Sequence, residues 1–288
     1  MNETPTMQQR PHLSLSHLSI LEVGPPALID LVADAGFAST GIRLSPAVIG
    51  GTYYPLLAGS QSLRDVRQRM ASRNVAVLDV EVVCLAEDTD VMDFEPMFET
   101  AAELGAQRVC VNGDDPDLSR LTARFAHLCE LAKPYGLQVD LEFMRWRPVS
   151  TLEVASQIVE KSSASNGFVL LDALHLMRSG GSHASLKALC QSKPKLIGSF
   201  QLCDAPLHLS HDAPTTAQII DEARGGRWLP GEGGLPLREM LACLPLNTPI
   251  SLEIPMSGYA PQLTALERAT RIYQAGLKFL TEDVSITN

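Results

Sequence analysis

Four successive apolar runs from the middle of the chain onward end in a polar group. VDLEFM presents Glu142, VLLDALH presents Asp172, SFQLCD presents Gln201 and then Asp204, and ISLEIP presents Glu253. Carboxylates flanked by leucine, valine and isoleucine are costly to bury unless a cation or hydrogen-bond donors compensate them. A single glutamate at such a place is more often a surface or salt-bridge residue than a ligand; the repetition in four successive runs is the signal. Glu142, Asp172, Gln201 and Glu253 together offer three carboxylates and one amide oxygen. Such an oxygen-rich set suits one divalent ion, Mn²⁺ or Mg²⁺ before Zn²⁺ or Co²⁺. Zinc is the less natural choice because no histidine or cysteine stands out among the donors.

Other residues qualify as pocket groups. His175 follows Asp172 by three positions and can serve as a general acid/base, since imidazole titrates near neutral pH. Glu81 lies inside VLDVEVVCL, where it either meets a substrate hydroxyl or forms a structural salt bridge. His17, Arg43 and Arg227 are further substrate-binding candidates, Arg227 standing just before the turn Pro230–Gly233 with Trp228 beside it. Arg145 and Arg147 in EFMRWRP either receive a phosphate or carboxylate or are ordinary surface charge. His208 and His211 have the spacing of a metal pair, but a proline-rich loop carries them, so they are expected to face solvent.

These residues need strands to position them. Strand-like runs are expected at His12–His17, Ser39–Leu44, Ala76–Cys84, Arg108–Asn112, Gln138–Phe143, Phe168–Asp172, Leu196–Cys203 and Pro249–Ile254. Most are continuously apolar, as in strands covered on both faces. Helical patterns alternate with them at Pro25–Gly36, Leu63–Asn74, Phe94–Gly105, Leu118–Gly136, Ser150–Ser163, His183–Ser192, Leu237–Leu244 and Leu263–Leu280. An open doubly wound sheet shares this alternation. The count of eight strands and the lack of a GxGxxG after the first favour an α/β fold of one (β/α)8 TIM barrel. The whole of residues 1–288 is expected to form that single domain, with 1–10 as a flexible tail. Long loops at Ser45–Ser62 and Asp204–Pro236 would then lie at the C-terminal face, where barrels build active sites.

Composition narrows the function classes. The 288 residues are 45% hydrophobic and 19% charged, enough for a large core. A net charge of −10 and no basic stripe argue against nucleic acid as a partner. No apolar run has membrane-spanning length, and MNETPTMQQRPHLSL lacks a signal-peptide core. The six cysteines form no CxxC and sit in apolar runs, so a cytoplasmic protein with reduced thiols is expected.

The series Glu142, Asp172 with His175, Gln201 and Glu253, together with the PGEG turn at Pro230–Gly233, resembles the xylose-isomerase-like TIM-barrel superfamily over nearly the whole chain. The resemblance implies one divalent metal held by Glu142, Asp172, Gln201 and Glu253, with a small sugar-like substrate and a homo-oligomer. It implies an isomerase or epimerase of a polyhydroxylated carbonyl compound, free or phosphorylated, in which Glu142 or Glu253 moves a proton at an enediolate. Many members with sugar substrates have histidine at the position of Gln201. Glutamine there resembles the inosose and 3-dehydroshikimate dehydratases, for which His175 becomes the proton shuttle. The superfamily's endonucleases fit poorly with the charge of −10. A non-catalytic ligand-binding barrel is the reading from another class.

Overall fold

In the computed structural model, which describes residues 12–209, 214–256, 258 and 262–282, eight parallel strands close into a barrel in sequence order. The strands are β1 (Leu13–Leu15), β2 (Ser39–Arg43), β3 (Ala76–Leu85), β4 (Arg108–Gly113), β5 (Gln138–Glu142), β6 (Gly167–Asp172), β7 (Ile197–Leu202) and β8 (Ile250–Leu252). Around them pack α1 (Pro25–Ala35), α2 (Gln61–Arg73), α3 (Glu95–Leu104), α4 (Leu118–Ala132), α5 (Leu152–Ser162), α6 (Ala173–Arg178), α7 (His183–Ser192), α8 (Thr216–Gly225), α9 (Leu237–Cys243) and α10 (Ala265–Thr281). The expected eight-stranded barrel is therefore the fold. The expected tail, residues 1–10, and His211 lie outside the described residues.

Local chemistry fixes the helix ends. α1 starts on two prolines and stops at Gly36 with φ +102°; a Cβ there would lie 2.7 Å from the Tyr273 ring, so only glycine closes this turn without displacing α10. Ser60, Asp117 and Thr151 accept backbone N–H bonds at the starts of α2, α4 and α5. Two helices were not expected. α6 follows β6 without a loop, because the Asp172 carboxylate caps it by accepting the His175 backbone N–H at 2.8 Å. α8 lies in the long stretch before the PGEG turn, where Thr215 and Gln218 form a reciprocal capping box. The two outermost strands of the chain are shorter than expected, three residues each.

Register places the polar strand ends at one mouth. Arg43 is the partner of Glu81, Asn112 of Glu142, and Asp172 of Gln201. Lower in the barrel, Arg108 donates from Nε and Nη2 to Asp140 at 2.5 and 2.8 Å, and Ser199 Oγ donates to the same carboxylate at 2.5 Å. This buried ion pair needs Gly198, where a Cβ would meet Arg108, Asp140 and, at 2.6 Å, Phe168 Cβ. No helix among the described residues is long and apolar enough to cross a membrane.

Gly198→Ala should therefore destabilise the fold by about 1–3 kcal/mol through overpacking. The denaturant midpoint measures this, and an unchanged midpoint would show that the barrel floor has slack.

Candidate metal and active site

The mouth of the barrel brings together carboxylates from four strands. Glu81, Glu142, Asp172 and Glu253 are all buried, and each is treated differently by its neighbours. Arg43 donates to Glu81 Oε2 from Nε at 2.9 Å and from Nη2 at 2.6 Å. The backbone N–H of His17 reaches Glu81 Oε1 at 3.2 Å. Burial alone would raise the Glu81 carboxyl, but the Arg43 guanidinium holds it below the usual carboxylate range.

Arg227 is the second internal cation. Its Nη1 donates to Asp172 Oδ2 at 2.5 Å, its Nη2 to Glu253 Oε1 at 2.9 Å, and its Nε to the Ala223 carbonyl at 2.8 Å. With a side chain 1% exposed, it acts as an internal counter-ion. Against the burial that raises it, Arg227 keeps the Asp172 carboxyl below its ordinary value. Glu253 also accepts from Gln201 Nε2 at 2.7 Å and lies 2.8 Å from Ser16 Oγ, which is itself 3.2 Å from Glu81. Burial nevertheless leaves the Glu253 carboxyl raised.

Glu142 is the exception. Its carboxylate accepts no hydrogen bond among the described residues; its nearest ionic neighbour is His175, whose Nε2 lies 3.6 Å from Oε1. Burial, and then the charges of Glu253 and Asp172, push its carboxyl well above the usual range. Burial also lowers His175 to about 4, so its imidazole is neutral at physiological pH. Glu142, Asp172 and His175 offer ligand atoms within 4.8 Å of one another. Gln201 Oε1 is buried without a partner beside them. An unpartnered carbonyl oxygen, an unbonded carboxylate and a neutral imidazole around excess negative charge fit a divalent cation. Of the expected ligands, Glu142, Asp172 and Gln201 border this place, whereas Glu253 reaches Asp172 through Arg227. His175, expected as an acid/base group, adds a nitrogen to the donor set.

The substrate-binding candidates separate. Arg43, Glu81 and Arg227 line a cavity of about 80 Å³ with Glu142, His175 and Gln201. This is well under the roughly 300 Å³ of ordinary ligand pockets. His17 is engaged elsewhere: Nδ1 accepts the Arg43 N–H at 2.9 Å, Nε2 faces the Val23 carbonyl at 2.9 Å, and the ring stacks on Tyr54. Arg145 points outward, exposed, with Nη1 3.4 Å from the Arg178 carbonyl. Its neighbour Arg147 lines the cavity instead. His208 is exposed, as expected. Sequence reasoning missed Ser16 and Asn112. Ser16 carries no signal beyond following the first strand; Asn112 ends the fourth, and that position was the available clue.

The PGEG turn is held by Asp204. Its Oδ2 accepts the Gly231 and Gly233 N–H groups at 2.9 Å, and its Oδ1 accepts those of Ala205 at 2.8 Å and Leu235 at 3.1 Å. Backbone bonds between Asp204 and Trp228 at 2.8 and 2.9 Å complete the clamp. The strand-end carboxylate Asp204 thus holds the segment that delivers Arg227 to the site.

A profile of the xylose isomerase-like TIM barrel family matches residues 29–282. The chain belongs to that family. No curated protein matches it. Among solved structures it is similar to the IOLI protein with a bound zinc atom, with TM-score 0.75, 20% identity, 96% of this chain covered and 100% of that one. A xylose isomerase domain protein from Salmonella typhimurium LT2 gives TM-score 0.72 at 15% identity, covering 97% and 99%. D-allulose 3-epimerase from Methylomonas sp., solved with D-allulose, gives 0.64 at 14%, covering 93% and 96%. At these identities the likeness is one of fold.

His17 provides a test of the site's rim. Burial, opposed by Glu81, lowers its pKa below 6.5, so the unfolded chain takes up this proton at higher pH than the folded one. The stability His17 contributes is present above about pH 6.5 and is lost as pH falls below that. The wild-type melting temperature should fall more steeply between about pH 7 and 5 than that of His17→Asn. Parallel profiles would show that the ring titrates freely.

Proposed function

We propose that the chain is a divalent-metal-dependent isomerase or epimerase of a small polyhydroxylated carbonyl compound. The observation that carries this reading is the convergence of Glu142, Asp172 and His175 within 4.8 Å beside the unpartnered Gln201 Oε1. Glu142, Asp172 and Gln201 would hold the ion with His175 close enough to join them, while Glu253, expected among the ligands, is engaged by Arg227 and Gln201. Oxygen donors favour Mn²⁺ or Mg²⁺; the imidazole, and the zinc in the similar IOLI protein, make Zn²⁺ the next candidate. When bound, the ion stabilises the enediolate charge that develops as a proton leaves the carbon beside a carbonyl.

The residues divide the remaining work. Glu142, the mouth carboxylate that no arginine ties down, accepts and returns the proton as general base. His175, neutral and 3.6 Å away, relays it. Arg227 and Arg43 fix the other carboxylates and face substrate oxygens in the cavity. A second reading, a dehydratase of a cyclic hydroxyketone such as an inosose or 3-dehydroshikimate, is favoured by a specific feature. Glu253 is tied by Arg227 and Gln201, with Ser16 alongside, leaving Glu142 and His175 as the one mobile proton pair. Removal of a proton and protonation of a departing hydroxyl on the same side need only that pair, whereas epimerisation needs groups on both faces.

The test is to load the protein with Mn²⁺ and screen keto sugars, inososes and 3-dehydroshikimate in D₂O. Deuterium at the carbon of an isomerised or epimerised product supports the first reading; an unsaturated product supports the second. In either case Glu142→Gln should lose about 10²–10⁴ in rate with its melting temperature retained. Full activity in that variant would remove Glu142 from the chemistry.

A further inference from the structure

Three buried arginines offer one edge of the guanidinium to a carboxylate, and at Arg147 that edge is open. Arg43, Arg108 and Arg178 each place the Nε–Nη2 edge on a carboxylate, that of Glu81, Asp140 and Glu222. That edge is the flat two-donor fork that matches a two-oxygen anion. Arg147 donates only from Nη1, to Asp114. Its Nε is buried without a partner, and no hydrogen bond of its Nη2 occurs among the described residues. The side chain is 10% exposed, so the open fork is held inside the protein. Leaving such a donor unsatisfied is costly, which points to an acceptor that arrives from outside.

Two neighbours face the same space. Asn112 lines the cavity with Arg147, and its Oδ1 is also buried without a partner. Its Nδ2 makes only a long contact, 3.9 Å, to Cys84 Sγ, so a half-turn of the amide gives up little and presents the NH₂ there. Arg224 lines the cavity too and has no ion pair among the described residues. In the same pocket, Glu81 and Glu253 already have their arginines. The unmatched positive groups therefore lie on the Arg147 side.

Resting on the metal-dependent reading given above, we infer that the substrate carries an anionic oxygen group, a carboxylate or a phosphate, and that the Nε–Nη2 edge of Arg147 receives it with Asn112 beside it. Asp114 orients the guanidinium by occupying Nη1. The carbonyl end of the substrate then lies toward Glu142 and His175, and its acidic end toward Arg147. Neutral sugars fill only the first half of such a site.

Sulfate, titrated calorimetrically into protein to which no metal has been added, reads the fork without the carbonyl chemistry. Wild type should bind it saturably, and Arg147→Met should weaken binding about tenfold or more. Arg147→Lys, which keeps the charge and loses the fork, should fall between. No saturable binding, or binding unchanged in both variants, overturns the inference; if Arg147→Met fails to fold, an unchanged affinity in Arg147→Lys does so. Matched probes on the Mn²⁺-loaded protein then identify the source. A wild-type preference for 3-dehydroshikimate over scyllo-inosose, lost in the variant, indicates a carboxylate. A preference for fructose 6-phosphate over fructose, lost likewise, indicates a phosphate. Sulfate binding that depends on Arg147, with none of the four carbonyl compounds bound, upholds the anion site and sinks the metal-dependent reading instead.

Discussion

Burying several carboxylates at the mouth of an apolar barrel is the constraint around which the rest of this structure is organised. Glu81, Glu142, Asp172 and Glu253 are all out of water, and like charges so placed raise one another's pKa unless cations intervene. Arg43 answers for Glu81, and Arg227 is shared by Asp172 and Glu253. Glu142 has no such partner and its carboxyl is pushed well above the usual range. The arrangement is thus short of positive charge at one place, beside Glu142, His175 and Gln201 Oε1. A divalent cation at that place would complete the balance.

Much of the surrounding structure serves this distribution of charge. Parallel register sets Asp172 against Gln201 and Asn112 against Glu142, so donors from different strands arrive at one level. Asp172 also caps α6, which fixes its Oδ1 and turns His175 over the cavity. Asp204 gathers the backbone of the PGEG turn and pins Trp228, and the preceding residue is Arg227. A carboxylate that ends β7 outside the pocket therefore positions a cation inside it. Such supporting bonds give a site its precision, since a group displaced by an ångström loses most of its effect.

The barrel and the donor strands were legible in the sequence because apolar runs ending in Glu142, Asp172, Gln201 and Glu253 combine a burial signal with a polar interruption. Side-chain direction was less legible. Arg145 and Arg147 are separated by one residue, and the irregular backbone after β5 turns one to solvent and the other to the cavity; outside a regular strand, spacing does not say which. His17 looked like a pocket group, yet both ring nitrogens are engaged with backbone. α8 was hidden because its ends are set by a capping box within a stretch rich in glycine and proline. Ser16 acts only through its distance to Glu253 and Glu81, which a single short strand does not announce. Arg227 was noticed for its place before a turn, while its role between two carboxylates depends on chain closure over long sequence separations.

The family match and the fold likeness give the chain its class, and the site's own chemistry then makes one central claim, that a cation belongs beside Glu142. Crystals soaked in Mn²⁺ and measured at its absorption edge test it most directly. The account requires a single anomalous peak bounded by Glu142, Asp172, His175 and Gln201 Oε1, absent from crystals of Glu142→Gln grown and soaked alike. No peak after soaking with Mn²⁺ or Zn²⁺, or a peak away from these residues, would contradict it.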